Sequence, residues 1–144
     1  MGVFDDLVRC ETRLYNALNE RLREQHGIVM SQFEYLNFLH VSPQTRVGDI
    51  AAAFAIGIGA TSKGIDRLER LGWVERVANP ADRRSSLLVL TEAGEQLVAE
   101  AQQTCDQRLA ELLDVDEPHL AVLAEVFGAL RRRLERGEIG TPIG

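Results

Sequence analysis

A chain of 144 residues with 45% apolar and 26% charged side chains fits one globular domain. No apolar run approaches the roughly 18 residues of a membrane span, and the start M-G-V-F-D-D-L-V-R lacks the basic-then-apolar order of a secretory signal. Cys10 and Cys105 are too few for a disulfide framework, so a reduced, cytoplasmic, membrane-free protein is expected. The net charge of −6 is unevenly spread: from Arg46 to Ser86 seven Lys/Arg face five Asp/Glu, while elsewhere nine face seventeen. The acidic load lies outside this central stretch, where it suppresses nonspecific attraction to phosphate.

Residues 3–25 carry a helical stripe, with Val3, Leu7, Cys10, Leu14, Leu18 and Leu22 three or four positions apart. Gly27 is expected to end this helix in a left-handed turn. Ser31-Gln32-Phe33-Glu34 has the form of a capping box and opens a second helix to about His40, stopped by Ser42-Pro43. Thr45-Arg46-Val47 reads as a very short strand, and Gly48 to Phe54 as an alanine-rich third helix. Residues 58–71 form a fourth helix, with Ile58, Thr61, Ile65 and Leu68 as the inward stripe. Its outer face is Gly59, Ala60, Ser62, Lys63, Asp66, Arg67 and Arg70. Gly72 then leads into two antiparallel strands, 73–77 and 86–90, joined by a loop too long for a tight turn. Thr91 caps a long helix to about Leu113, with Leu97, Ala101, Cys105, Leu109 and Leu112 on one face. After a break over 114–118, Leu120, Leu123, Phe127, Leu130 and Leu134 follow the spacing of a seam between two helices. Gly137 ends that helix, and the tail E-I-G-T-P-I-G is expected to be loose.

The order from Asp49 to Gly94 is helix, turn, helix and basic hairpin, which is a winged helix-turn-helix. The expected fold class is therefore mainly α with a small antiparallel β-wing. A recognition helix needs a buried stripe to anchor it and short or polar residues on its outer N-terminal turns. Gly59, Ala60, Ser62, Lys63 and Arg67 meet that need and are the candidate groove contacts. Gly59 and Ala60 have no hydrogen-bonding side chain; they let the helix sit deep while Ser62 and Lys63 supply polar contacts. Arg83, Arg84 and Ser85 stand near the hairpin tip, where an arginine suits a narrow minor groove of strongly negative potential. Asp82 is expected to orient one of the two guanidinium groups. Each part alone also fits an amphipathic bundle helix or a solvated turn, but the two in this order point to double-stranded DNA. The alternative is a winged-helix protein–protein interaction module without DNA readout. It calls for an apolar face over 59–67, against which Ser62, Lys63 and Arg67 speak. No Walker loop, nucleophile elbow or His–carboxylate set is present, and His26, His40 and His119 lack metal-ligand spacing. No enzyme activity, cofactor or metal is expected.

Three motifs together resemble the MarR family of bacterial regulators (multiple antibiotic resistance regulators). D-R-L-E-x-x-G-x-[VI] is met by Asp66 to Val74, D-x-R-[SG] by Asp82, Arg84 and Ser85, and L-T-x-x-G by Leu90, Thr91 and Gly94. Gln32-Phe33 followed by Leu36 matches the start of the family's second helix. The resemblance covers nearly the whole chain. It implies one domain over 1–144, with a reading lobe at about 45–90 and dimerisation helices at about 3–25 and 92–136. It further implies a homodimer on a pseudo-palindromic operator, most often as a repressor released by a small aromatic or anionic effector. Arg84 and Arg83 carry over as minor-groove residues, and Ser62 and Lys63 as groove-facing ones. Ile58 and Gly59 depart from the polar or basic residues many members have there, which shifts the expected readout toward the wing and DNA shape. Tyr15, Phe33 and Asn37 are the candidates to line an effector pocket, with plain core packing as the other reading. Cys10 lies off the position of thiol-sensing members, and both cysteines are expected to be buried and structural.

Overall fold

The computed structural model describes residues 1–142. Its elements are α1 (Gly2–His26), α2 (Met30–Val41), α3 (Val47–Ala53), α4 (Ile58–Arg70), β1 (Val74–Ala78), β2 (Ser86–Leu90), α5 (Glu92–Leu112) and α6 (Glu117–Arg136). β1 and β2 pair antiparallel, from Val74 opposite Leu90 to Ala78 opposite Ser86. The mainly helical fold with a two-stranded wing is the one expected.

Two apolar clusters hold the chain together. In the reading lobe, Leu36, Leu39, Ile50, Ile65, Leu68, Val74, Leu88 and Val98 are buried against one another. A second cluster joins α1 to α5 through Leu18, Leu22, Ile28, Phe33, Ala101 and Cys105. Trp73 and Leu97 pack against both. The lobe is thus tied to the long helices by apolar contact, without a linker. Gly27 takes φ 67° and donates its N–H to the Arg23 carbonyl, ending α1 as expected. Gly72, at φ 80°, turns α4 into β1.

Outside the wing and α4, the local expectations needed correction in four places. Ser31 is not the cap of α2; the helix starts two residues earlier, at N-cap Val29, whose N–H donates to the Gln32 side-chain oxygen. Complete burial of Ile28 fixes where the chain enters the helix, and the cap follows from that docking. The short strand at 45–47 reduces to one bridge, in which Leu88 donates its N–H to the Thr45 carbonyl at 2.8 Å; Val47 already belongs to α3. On α5, Ala101 and Cys105 are buried with Leu97 and Leu109 packed beside them, as expected, but Val98 and Thr104 share the buried face and Leu112 is exposed. Cys105 is buried as expected, but Cys10 is exposed.

Both ends of the chain carry uncovered apolar stripes. Val3, Phe4, Leu7 and Val8 of α1 are exposed. α6 has no buried residue, and Val122, Leu123, Val126, Phe127, Leu130 and Leu134 all face solvent. The seam spacing of α6 is real, but among the described residues nothing buries it. Asp116 caps α6 by accepting the His119 N–H at 3.1 Å, and Pro118 sits in the first turn, where its missing N–H costs nothing. In the tail, Ile139 donates its N–H back to the Leu134 carbonyl; residues 143 and 144 lie outside the described residues.

Candidate nucleic-acid interface

α4 is anchored by Thr61, Ile65 and Leu68, all fully buried. The buried Thr61 hydroxyl donates to the Gly57 carbonyl at 3.0 Å, so the stripe carries no unpaired hydroxyl into the core. Gly64 lets the Tyr35 ring of α2 approach: a Cβ there would lie 2.6 Å from the ring. On the outer face Gly59, Ala60, Lys63 and Arg67 are exposed and Ser62 is half-buried. Ile58 corrects the expected stripe. It is 64% exposed at the start of α4, where its Cδ1 lies beside Gly48 of α3, a residue with no side chain to cover it.

The cations of the lobe divide into two groups. Arg46 is held by Asp49 and Arg76 by both Asp66 and Glu69, at 2.8 and 2.9 Å. Asp49 also accepts the Arg46 backbone N–H, which with the guanidinium keeps its carboxyl below the usual range. Arg76 ties β1 to α4 and so sets the wing relative to the helix. By contrast, among the described residues Lys63, Arg67, Arg70, Arg83 and Arg84 have no carboxylate within salt-bridge distance. These five cations, on α4 and the wing, remain available to an anionic partner.

The wing loop is internally braced. Asn79 donates its side-chain N–H to the Ser85 hydroxyl at 2.9 Å and accepts the Ala81 N–H on its carbonyl oxygen. The Ser85 hydroxyl donates in turn to the Asp82 carbonyl. Asp82 does not orient a guanidinium as expected: its carboxylate accepts the Arg84 backbone N–H at 2.9 Å. A short acidic side chain satisfies the backbone of its own turn more readily than it reaches a flexible arginine. Arg83 and Arg84 are left exposed on a stiffened loop, whereas Ser85 is half-buried with its hydroxyl engaged inside the turn. Asn79 escaped the sequence reading as a wing brace; its place before Pro80, six residues from a serine, was the available signal.

Tyr15, Phe33 and Asn37 line neither of the two clefts beside α3. Phe33 is buried in the α1–α5 cluster, which is the core-packing reading. The Tyr15 hydroxyl donates to Glu34 at 3.3 Å, and Asn37 is half-buried. Burial and the neighbouring carboxylate push the Tyr15 phenol up to about 12, and burial also raises Glu34. A cleft of about 750 Å³ lies elsewhere, between α3 and the exposed stripe of α6, with Phe38, Ala52, Phe127, Leu130 and Leu134 among its walls. A smaller one of about 520 Å³ lies between Arg46, Asp49, Ile58, Arg76 and the wing base. Among the described residues no group of three or more His, Cys, Asp or Glu is placed to hold a metal, and no helix is long and apolar enough to cross a membrane.

Comparison with known proteins agrees with this geometry. Residues 28–86 match the model of the MarR family. The chain is 28% identical over 100 residues to the multiple antibiotic resistance protein MarR of Escherichia coli, covering 67% of this chain and 69% of that one. It is 30% identical over 114 residues to the HTH-type transcriptional regulator YdgG of Bacillus subtilis, covering 77% and 75%. A mutant Escherichia coli MarR complexed with operator DNA superposes with a TM-score of 0.79 at 24% identity, over 90% of this chain and 94% of that one.

Proposed function

The chain belongs to the MarR family of DNA-binding transcription regulators, which are not enzymes, and from that premise we propose that it reads a pseudo-palindromic operator as a homodimer. The observation that carries this reading is the set of unpaired cations: Lys63 and Arg67 on α4, and Arg83 and Arg84 on a braced wing. In this reading α4 enters the major groove with Gly59, Ala60, Ser62, Lys63 and Arg67 toward the bases and backbone. Arg83 and Arg84 reach the adjacent minor groove, and Ser85 acts by shaping the wing turn. That Escherichia coli MarR was solved with operator DNA supports the mode of binding.

The dimer is proposed from the stripes on α1 and α6, which are large exposed apolar faces for a chain that otherwise buries its core well. One domain over 1–144, with its reading lobe held between these dimer helices, is the organisation that follows. Two copies related by a two-fold axis place two α4 helices on successive turns of a duplex. We assign it the role of a repressor relieved by a small effector at the α1–α2 face, where Tyr15 and Asn37 keep part of their surface and Phe33 lies in the core. Glu34 beside Tyr15 favours a neutral aromatic there over an anion.

Selection of genomic fragments by the purified protein, read by sequencing, tests the function. An enriched palindrome with half-site centres about one helical turn apart is expected. Recovery of fragments without a shared sequence would overturn it.

A further inference from the structure

The first turn of α4 is Ile58-Gly59-Ala60, and none of these side chains donates or accepts a hydrogen bond. Residues at the start of a recognition helix are the ones that come nearest to base edges. In the major groove every base presents donors or acceptors, and thymine alone adds an apolar mark, its 5-methyl group. A turn without polar side chains cannot read the first kind of signal. It can read the second. Ile58 is the one bulky side chain in that turn, and it is 64% exposed although its spacing belongs to the buried stripe. Its Cδ1 lies over Gly48, 3.8 Å from where a Cβ would be, and the side chain lines the open cleft between α3, Arg76 and the wing base. Gly59 beside it carries no side chain, and nothing lies within 4 Å of where its Cβ would be, so this point of the turn is open.

We infer that Ile58 is a base-reading residue that packs against the 5-methyl group of one thymine in each half-site. The inference rests on the DNA-reading role proposed above and adds a base identity to it. Discrimination has two sources. A thymine gains a desolvated methyl contact, while a cytosine at the same place buries its amino donor against an alkyl chain with no acceptor. Lys63 and Arg67, one and two turns further along α4, then act mainly on phosphate and on position.

The test uses the full chain and the operator recovered by selection. Each thymine is replaced singly by deoxyuridine, which removes the methyl group and nothing else. Affinity is measured by fluorescence anisotropy for wild type and Ile58→Ala at two salt concentrations. At one thymine per half-site the wild type should lose about fourfold, the value of one buried methyl, and Ile58→Ala should show no further loss there. Because a methyl contact releases no counterions, the penalty should be the same at both salt concentrations. Ile58 is exposed, so the variant should fold as wild type does, which its thermal melting curve checks. A half-site with no invariant thymine, uniform indifference to deoxyuridine, or an equal penalty in Ile58→Ala would each overturn the inference while leaving the DNA-reading role intact. Failure to recover any operator would instead remove that role, and this inference with it.

Discussion

Gly94 lies so close to Trp73 that a Cβ on it would sit 2.1 Å from the Trp73 carbonyl oxygen. The same carbonyl accepts the Thr91 N–H at 3.0 Å, and the Thr91 hydroxyl caps α5 by accepting the Gly94 N–H. Leu90-Thr91-x-x-Gly94 is thus a docking device that seats the start of α5 on the strand leaving α4. Its glycine is needed because backbone meets backbone.

Gly94→Ala should therefore destabilise the fold by about 3 kcal/mol, the upper range for forced overpacking. Trp73 packs against both apolar clusters, so the displacement has no soft place to go. Urea denaturation measures it, and a midpoint equal to wild type would show that α5 slides freely on the wing.

Arg84→Ala and Arg76→Ala should separate binding from architecture. Arg84 is exposed and free of carboxylates, so its loss should weaken operator binding by about 1–3 kcal/mol with no change in melting temperature. Arg76 joins β1 to Asp66 and Glu69 of α4, so its loss should lower stability first and affinity only through wing position. Equal affinity of Arg84→Ala and wild type for the selected operator would refute the wing assignment.

Much of this architecture was legible because it follows from periodicity and punctuation. The stripes of α1, α4 and α6, and the turns at Gly27 and Gly72, are written in residue spacing and in residues that tolerate positive φ. What escaped depends on neighbours distant in sequence. Ile58 fits the stripe of α4, but burial requires opposing side chains, and at its Cδ1 α3 presents Gly48, so Ile58 stays 64% exposed. Ser31-x-x-Glu34 has cap chemistry, but the fully buried Ile28 sets the helix start elsewhere. Cys10 shares the stripe of α1 yet is exposed, since its half of the helix extends past the chain's own core. For the proposed interface, the sequence named the cations; the pairing of Arg46 and Arg76, which tells structural arginines from available ones, required the fold.

Phe127→Glu should split the proposed dimer. Phe127 is 44% exposed in the middle of the α6 stripe, and burying a carboxylate in an apolar seam carries a large desolvation cost. Sedimentation should give a dimer for wild type and a monomer for the variant, with operator affinity lost as the second half-site contact disappears. Cys10 offers an independent reading: it lies on the α1 stripe, so a thiol reagent should label it faster in the variant than in wild type. Cys105, buried and pushed up to about 11, should stay unreactive in both at neutral pH. A wild-type monomer at micromolar concentration would end the dimer proposal.

Glu34→Gln should change how stability depends on pH. Burial holds the Glu34 carboxyl above its ordinary value of 4.5, with the Tyr15 hydroxyl pulling partly the other way. The folded state therefore binds this proton more tightly than the unfolded state does. By linkage, the contribution of the group to stability is full below about pH 4.5 and is lost as pH rises through the higher folded pKa. Glutamine keeps an acceptor for Tyr15 and carries no charge, so the stability of the variant relative to wild type should improve between pH 4 and pH 7. Tyr15→Phe should act in the opposite sense, because removing the donor raises the Glu34 carboxyl further and deepens the loss at neutral pH. Urea midpoints at the two pH values decide the matter: parallel profiles for wild type and Glu34→Gln would mean that the carboxyl is as well solvated in the folded chain as in the unfolded one.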